Sequence, residues 1–186
     1  MARARIGIAT GHSSATDGER LFEYQQCAPV TKILSHLLNA AGHKVLEPPD
    51  PIYLYPNNKA LTAKVDFFNQ MEVDLAVEVH INAGGGDYST ALYWGNNEGA
   101  ISSKGAKAAG CIADAFAAFP WRSIGAQSQT YFGRSLYLLN NTHAPAVIVE
   151  AGFKDNEEHR AILGTKRGYT LHAASIYAGI ESYLLN

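Results

Sequence analysis

Only two of the 186 residues are cysteine, Cys27 and Cys111, and neither lies in a C-x-x-C pair, which excludes a disulfide framework. The chain is therefore expected to fold in a reducing compartment, or without reliance on an oxidising one. Long apolar runs are missing too: none approaches the roughly 20 residues of a membrane span. The basic start, residues 1–5, precedes an apolar stretch too short for a signal peptide. Charge is sparse, at 17% of residues, against about 25% in an average soluble protein. Fifteen Lys and Arg against 17 Asp and Glu leave a net charge of −2. No basic run exists to neutralise phosphates, which argues against a nucleic-acid partner and against anionic lipid. Neither a G-x-G-x-x-G fingerprint nor a Walker lysine is present, and Gly84-Gly85-Gly86 opens no helix, which argues against a nucleotide site. The lack of a G-x-S-x-G elbow does the same for a serine hydrolase.

What is present is hydrophobic residue, 47% of the chain, enough to rule out disorder. The length suits about one domain, able to bury roughly 70% of its unfolded surface. Residues 5–9 (RIGIA) form a β-branched run closed by Thr10-Gly11, a first strand. Between 24 and 41 the apolar residues Cys27, Val30, Leu34, Leu37, Leu38 and Ala41 mark one face of a helix, capped by Gly42. A second strand is expected at 43–46, a proline-rich loop after it, and a helix at 61–71. Residues 73–81 give the strongest strand, and 90–94 another. A helix follows at 103–119, then a short strand at 137–139 and an unbroken apolar strand at 146–150. A helical turn at 156–163 and a final helix at 170–184 complete the pattern. Strands alternating with helices predict a single three-layer α/β domain over residues 1–186, its mostly parallel twisted sheet flanked by helices on both faces.

In such sheets ligands bind beyond the carboxyl ends of the strands. Three strand ends carry residues that a buried strand rarely needs: His12 after the first, His80 and Asn82 at the central one, and Glu150 at the late one. A further carboxylate, Glu23, begins the first long helix after a polar loop at 13–20, with Glu19 competing from the same segment. The topology places His12, Glu23, His80 and Glu150 within reach of one another. Two neutral imidazoles and one carboxylate are the protein ligands of a catalytic zinc site with a fourth position open. Zinc in such a site lowers the pKa of water from 15.7 towards about 7 and polarises a carbonyl. A second carboxylate must then carry the proton to the leaving group, and Glu150 is the candidate. Each residue alone has an ordinary structural explanation; a first-turn Glu, for example, is favoured by the helix dipole. The histidines at 36, 43, 143, 159 and 172 read as surface or helix positions, with only His143 close enough in sequence to the Glu150 strand to approach the site.

These residues carry a resemblance. Segments 6–12 (IGIATGH), 22–25 (FEYQ), 41–45 (AGHKV), 74–83 (DLAVEVHINA), 136–141 (LYLLNN) and 145–156 (PAVIVEAGFKDN) lie in family order along nearly the whole chain. Together they resemble the zinc-dependent N-acetylmuramoyl-L-alanine amidases of the amidase-3 type, especially the catalytic domains of phage endolysins. The resemblance implies His12, Glu23 and His80 as Zn2+ ligands, Glu150 as the catalytic acid/base and Asn82 as a residue that either faces the substrate or supports the ligands. It favours Glu23 over Glu19, because the family's ligand Glu precedes the Gly-His-Lys-Val helix end by about five helical turns. It also implies peptidoglycan as the substrate, cut between N-acetylmuramic acid and L-alanine. The segment between His12 and Glu23 lacks the longer Gly-rich insert common in bacterial autolytic members, nearer to the phage type. No separate wall-binding domain is expected. The absent signal peptide fits an enzyme held in the host cytoplasm until its release to the wall. The rivals are a zinc peptidase cutting within the stem peptide and a wall-binding module without catalysis. No feature sets an oligomeric state.

Overall fold

The computed structural model describes residues 3–185. In chain order the elements are β1 (Arg5–Thr10), α1 (Gly18–Ala40), β2 (Lys44–Leu46), α2 (Asn57–Gln70), β3 (Leu75–Asn82) and β4 (Ser89–Tyr93). They continue with α3 (Ser103–Ala115), β5 (Ser123–Ser128), α4 (Tyr137–Asn141), β6 (Ala146–Phe153), α5 (Glu157–Leu163) and α6 (Lys166–Leu185). The sheet order is β2-β1-β3-β6-β4-β5. The first four of these strands run parallel, β4 is antiparallel to β6, and β5 is parallel to β4. This is the expected α/β architecture with a mostly parallel, mixed sheet.

Side-chain alternation divides the core in two. Ile6 and Ile8 of β1, Val77 and Val79 of β3, and Val147 and Val149 of β6 pack with α1, α3 and α6. Ala9, Ala76 and Ile148 face the other way, toward Val65 and Phe68 of α2 and Leu138 of α4. Glu78, His80 and Glu150, two-residue steps from Ala76 and Ile148, belong to this second face. Helices α3 and α6 meet closely at Gly179, where an added Cβ would lie 2.4 Å from the Cα of Ile112. No described helix is long and apolar enough to cross a membrane.

Three local expectations change. Residues 137–139 belong to the short helix α4 rather than a strand; a run of three apolar residues fits either period. Strand β5 goes unannounced in the sequence because every one of its residues is half-buried, leaving no alternation to see. Helix α1 begins at Gly18, so Glu23 stands inside it rather than at its start. The first turns of α1 look out on the site instead of the core, which removes the apolar periodicity that marks a helix.

Candidate metal centre and active site

The chain leaves β1 through Gly11, whose N–H still donates to Val79 O at 2.8 Å. A Cβ on Gly11 would sit 2.5 Å from the ring of His80, so this exit must be glycine for the imidazole to lie where it does. His12 follows in the left-handed region, at φ 61°, a conformation that costs a non-glycine residue about 1–3 kcal/mol. That turn directs its ring back over the sheet end. His12 Nδ1 lies 3.3 Å from Asn57 Oδ1 at the start of α2, an acceptor that places the ring proton there and leaves Nε2 as the donor atom.

Glu23 comes from α1 and is almost fully buried. Its Oε1 lies 2.8 Å from His80 Nδ1 and accepts from Ile81 N at 3.2 Å. Its Oε2 lies 3.2 Å from His12 Nε2 and 2.8 Å from Lys154 Nζ. Burial works against charge on Glu23, yet the hydrogen bonds and charges of the two histidines hold its carboxyl far below the usual range. His80 closes the group from β3, its Nε2 3.0 Å from Glu78 Oε2. Burial opposes its charge as well, but Glu78 and Glu23 push the imidazole up to about 10. One donor atom from each of His12, Glu23 and His80 falls within 4.8 Å of the others. Among the described residues this is the group of His, Cys, Asp and Glu that could hold a metal ion. Its chemistry, two imidazoles and a carboxylate without thiolate, fits a zinc site. The competing Glu19 is 81% exposed and stands outside the cluster.

Glu150 lies on β6 in direct register with His80. A register shift follows between His80 and Asn82, the kind of irregularity that re-aims side chains beside active sites. Burial, the largest influence, pushes the Glu150 carboxyl up to about 7, while the charges of His80, Arg134 and Lys154 pull it down and Glu23 raises it. Its Oε2 is buried without a hydrogen-bond partner among the described residues, and its Oε1 is 3.8 Å from Arg134 Nη1. Asn82 is buried at the end of β3; its Oδ1 accepts from Ala83 N at 2.9 Å and from Arg134 Nη2 at 3.4 Å. All five expected residues line one cavity of about 550 Å³.

Other residues of the cavity escaped the sequence reading. Lys154 follows Glu150 by four residues, and its buried ammonium group contacts Glu23 rather than solvent. Arg134 lies in an unremarkable loop, and nothing in its neighbourhood announces it. Glu78 and Lys64 were visible in principle: an acid two residues before His80, and a lysine in helical phase with Ala60 and Phe68 on a buried stripe. His143, by contrast, is exposed and lines a separate groove with Trp94 and Ile101. His159 and His172 are helix positions, as expected, and both are buried, as is His43 ahead of β2. Of the three, His43 and His159 hydrogen-bond carboxylates, Glu181 and Asp87.

Residues 6–182 match the sequence profile of the N-acetylmuramoyl-L-alanine amidase family of the amidase-3 type. No curated protein sequence matches the chain significantly. Among solved structures, the catalytic domain of the CD27L endolysin targeting Clostridia difficile shares 28% identity and a TM-score of 0.77, over 97% of this chain and 98% of that one. The amidase AmiC2 of Nostoc punctiforme superposes with a TM-score of 0.82 at 17% identity, over 100% and 99% of the two chains. The catalytic domain of CwlV, an amidase from Bacillus (Paenibacillus) polymyxa var. colistinus, gives 0.78 at 20% identity, over 97% and 98%. The last two show a likeness of fold alone.

Proposed function

The chain belongs to the amidase-3 family of N-acetylmuramoyl-L-alanine amidases, and from that premise we propose that it hydrolyses the amide between the lactyl group of N-acetylmuramic acid and L-alanine in peptidoglycan. His12, Glu23 and His80 would hold Zn2+, and Glu150 would carry the proton. The observation that carries this reading is the pairing of two features in one cavity: a convergent His-Glu-His donor set and a buried carboxyl with one oxygen lacking a hydrogen-bond partner among the described residues.

Bound zinc would supply Lewis acidity, polarising a carbonyl oxygen and making water acidic enough to attack near neutral pH. The protein's own part begins with Glu150. Its carboxyl, pushed up to about 7 by burial, is poised between its two protonation states at neutral pH, as a group that must first accept and then donate requires. Oε2, free of internal partners, accepts the proton of the attacking water. As the carbonyl carbon gains an oxygen and the C–N bond breaks, the same oxygen delivers that proton to the departing alanine nitrogen. The products are a lactyl carboxylate and a peptide with a free L-alanine amine. Arg134, 39% exposed and tethered to Asn82, stands at the cavity with its guanidinium beside Glu150. In this reading Asn82 faces the substrate indirectly, by holding Arg134 in place.

The biological role follows the same premise. Identity of 28% with an endolysin catalytic domain supports an endolysin-like, wall-lysing enzyme. The test is Glu150→Gln. It should stay folded, keep its zinc, and lose roughly 10²–10⁴-fold in the rate of lysis of purified walls. Full activity in that variant sinks the assignment of Glu150. Mass spectrometry of the wild-type digest should show free lactyl carboxyls and N-terminal L-alanine; cuts within the stem peptide instead would make the protein a zinc peptidase.

A further inference from the structure

Two buried charges beneath the donor cluster take no part in the hydrolysis set out above. Lys64, on α2, is 1% exposed. Its ammonium group donates to Thr10 O at 2.5 Å, to His12 O at 2.7 Å and to Glu78 Oε1 at 3.0 Å. That uses all three of its donors. Glu78 is buried on β3 and shares a strand face with His80, two residues on. Its second oxygen, Oε2, lies 3.0 Å from His80 Nε2. Each charge is therefore fully engaged, one end of the pair on the backbone of His12 and the other on the ring of His80.

A buried ion pair is a poor source of stability, because desolvating two charges offsets their attraction, and apolar residues of similar volume often serve as well or better. The contacts made by this pair give it a different use. On the reading of His12, Glu23 and His80 as a zinc site, we propose that Lys64 and Glu78 form one positioning unit that presets both histidine donors. Glu78 keeps the ring proton of His80 on Nε2, which leaves Nδ1, the nitrogen turned to Glu23, as the donor and fixes the plane of the imidazole. Carboxylates bonded to the outer nitrogen of a liganding histidine act in this way. Lys64 ties down the carbonyl of His12, whose φ of 61° is one that a non-glycine residue holds only when its surroundings enforce it. Lys64 also bonds the carbonyl of Thr10, so the whole exit of β1, from strand end to liganding histidine, hangs on one ammonium group. The pair thus couples two ligands that come from different strands, β1 and β3.

Removing one partner strands the other as a buried charge, so the informative variant removes both: Lys64→Met with Glu78→Leu. Three measurements are made on this double variant and on the wild type. They are thermal unfolding in the presence of chelator, zinc affinity by competition with a chromogenic chelator, and the visible absorption of the Co2+-substituted protein. The double variant should unfold at the wild-type temperature or above it, bind zinc about 10–100-fold more weakly, and show altered Co2+ bands. Wild-type zinc affinity together with an unchanged Co2+ spectrum overturns the proposal. So does a double variant that fails to fold, which would make the pair an element of stability. Wild-type protein that binds no zinc would overturn the metal reading itself, and this inference with it.

Discussion

Burial moves two titratable side chains of this chain in opposite directions, and each leaves a different mark on stability. For Glu150 burial raises the carboxyl to about 7, above its value of 4.5 in an unfolded chain. The folded state therefore holds a proton that the unfolded state releases, and stability is lost as pH climbs from about 4.5 through about 7. Glu150→Gln removes that loss. With chelator present, the variant should melt well above wild type at pH 8 and close to it at pH 5; equal increments at both would show that charge burial is not the cause. Activity and stability are then opposed at one residue. His172 is the reverse case. Its ring, packed against Phe116 and Phe119, has no hydrogen-bond partner at either nitrogen among the described residues, and burial lowers it to about 3. The unfolded chain takes up a proton near pH 6.5 and the folded one does not, so stability falls as pH drops from about 6.5 toward 3. His172→Leu should flatten unfolding free energy over that interval by an amount on the order of a few kcal/mol, measured by urea titration at stepped pH. An unchanged slope would remove the imidazole as the source.

At the scale of elements, the two faces of the sheet have separate duties. The face carrying α1, α3 and α6 is apolar and stabilising; the face toward α2 and α4 carries Glu78, His80 and Glu150. A change confined to the first face should lower stability and spare the chemistry. Gly179→Ala is such a change, since its Cβ meets the backbone of Ile112 at 2.4 Å and α6 must back away from α3. Overpacking of this kind costs about 1–3 kcal/mol, which for a chain of this length lowers Tm by roughly 4–8 °C near the middle of that range. Wall lysis per folded molecule should be unchanged at 25 °C; lost activity would mean that the helices of this face hold the site. The same division explains what the sequence could reveal. Strands β1, β3 and β6 are buried on both faces and show as runs rich in Ile and Val, which put His12, His80 and Glu150 at one sheet edge in the sequence alone. Glu23 needed more, because the first turns of α1 face the cavity and lack an apolar stripe. Lys154 and Arg134 were silent because their meaning lies in contacts 131 and 52 residues away in the chain, which no local pattern records.

For the whole molecule, the arrangement of the donors links metal binding to folding. His12 follows β1, Glu23 belongs to α1 and His80 to β3, so an ion held by all three ties together segments spread from residue 12 to residue 80 of the sequence. No unfolded chain presents those groups together, so zinc held there, as proposed, would bind the folded state far better than the unfolded one. The stabilisation follows from mass action, about 4.1 kcal/mol when free zinc stands at 1,000 times its Kd. With Tm moving roughly 2–4 °C per kcal/mol in a domain of this size, chelation should lower the melting temperature by roughly 8–16 °C, and added zinc should restore it. Glu23→Ala supplies the control, since it deletes the one proposed ligand contributed by a helix and should abolish the zinc-dependent increment while leaving β1 and β3 paired. Its melting temperature should be the same with chelator and with zinc. If wild type also melts at one temperature under both conditions, the three donors do not bind zinc at micromolar concentrations. A zinc increment that persists in Glu23→Ala would instead locate the metal elsewhere on the protein.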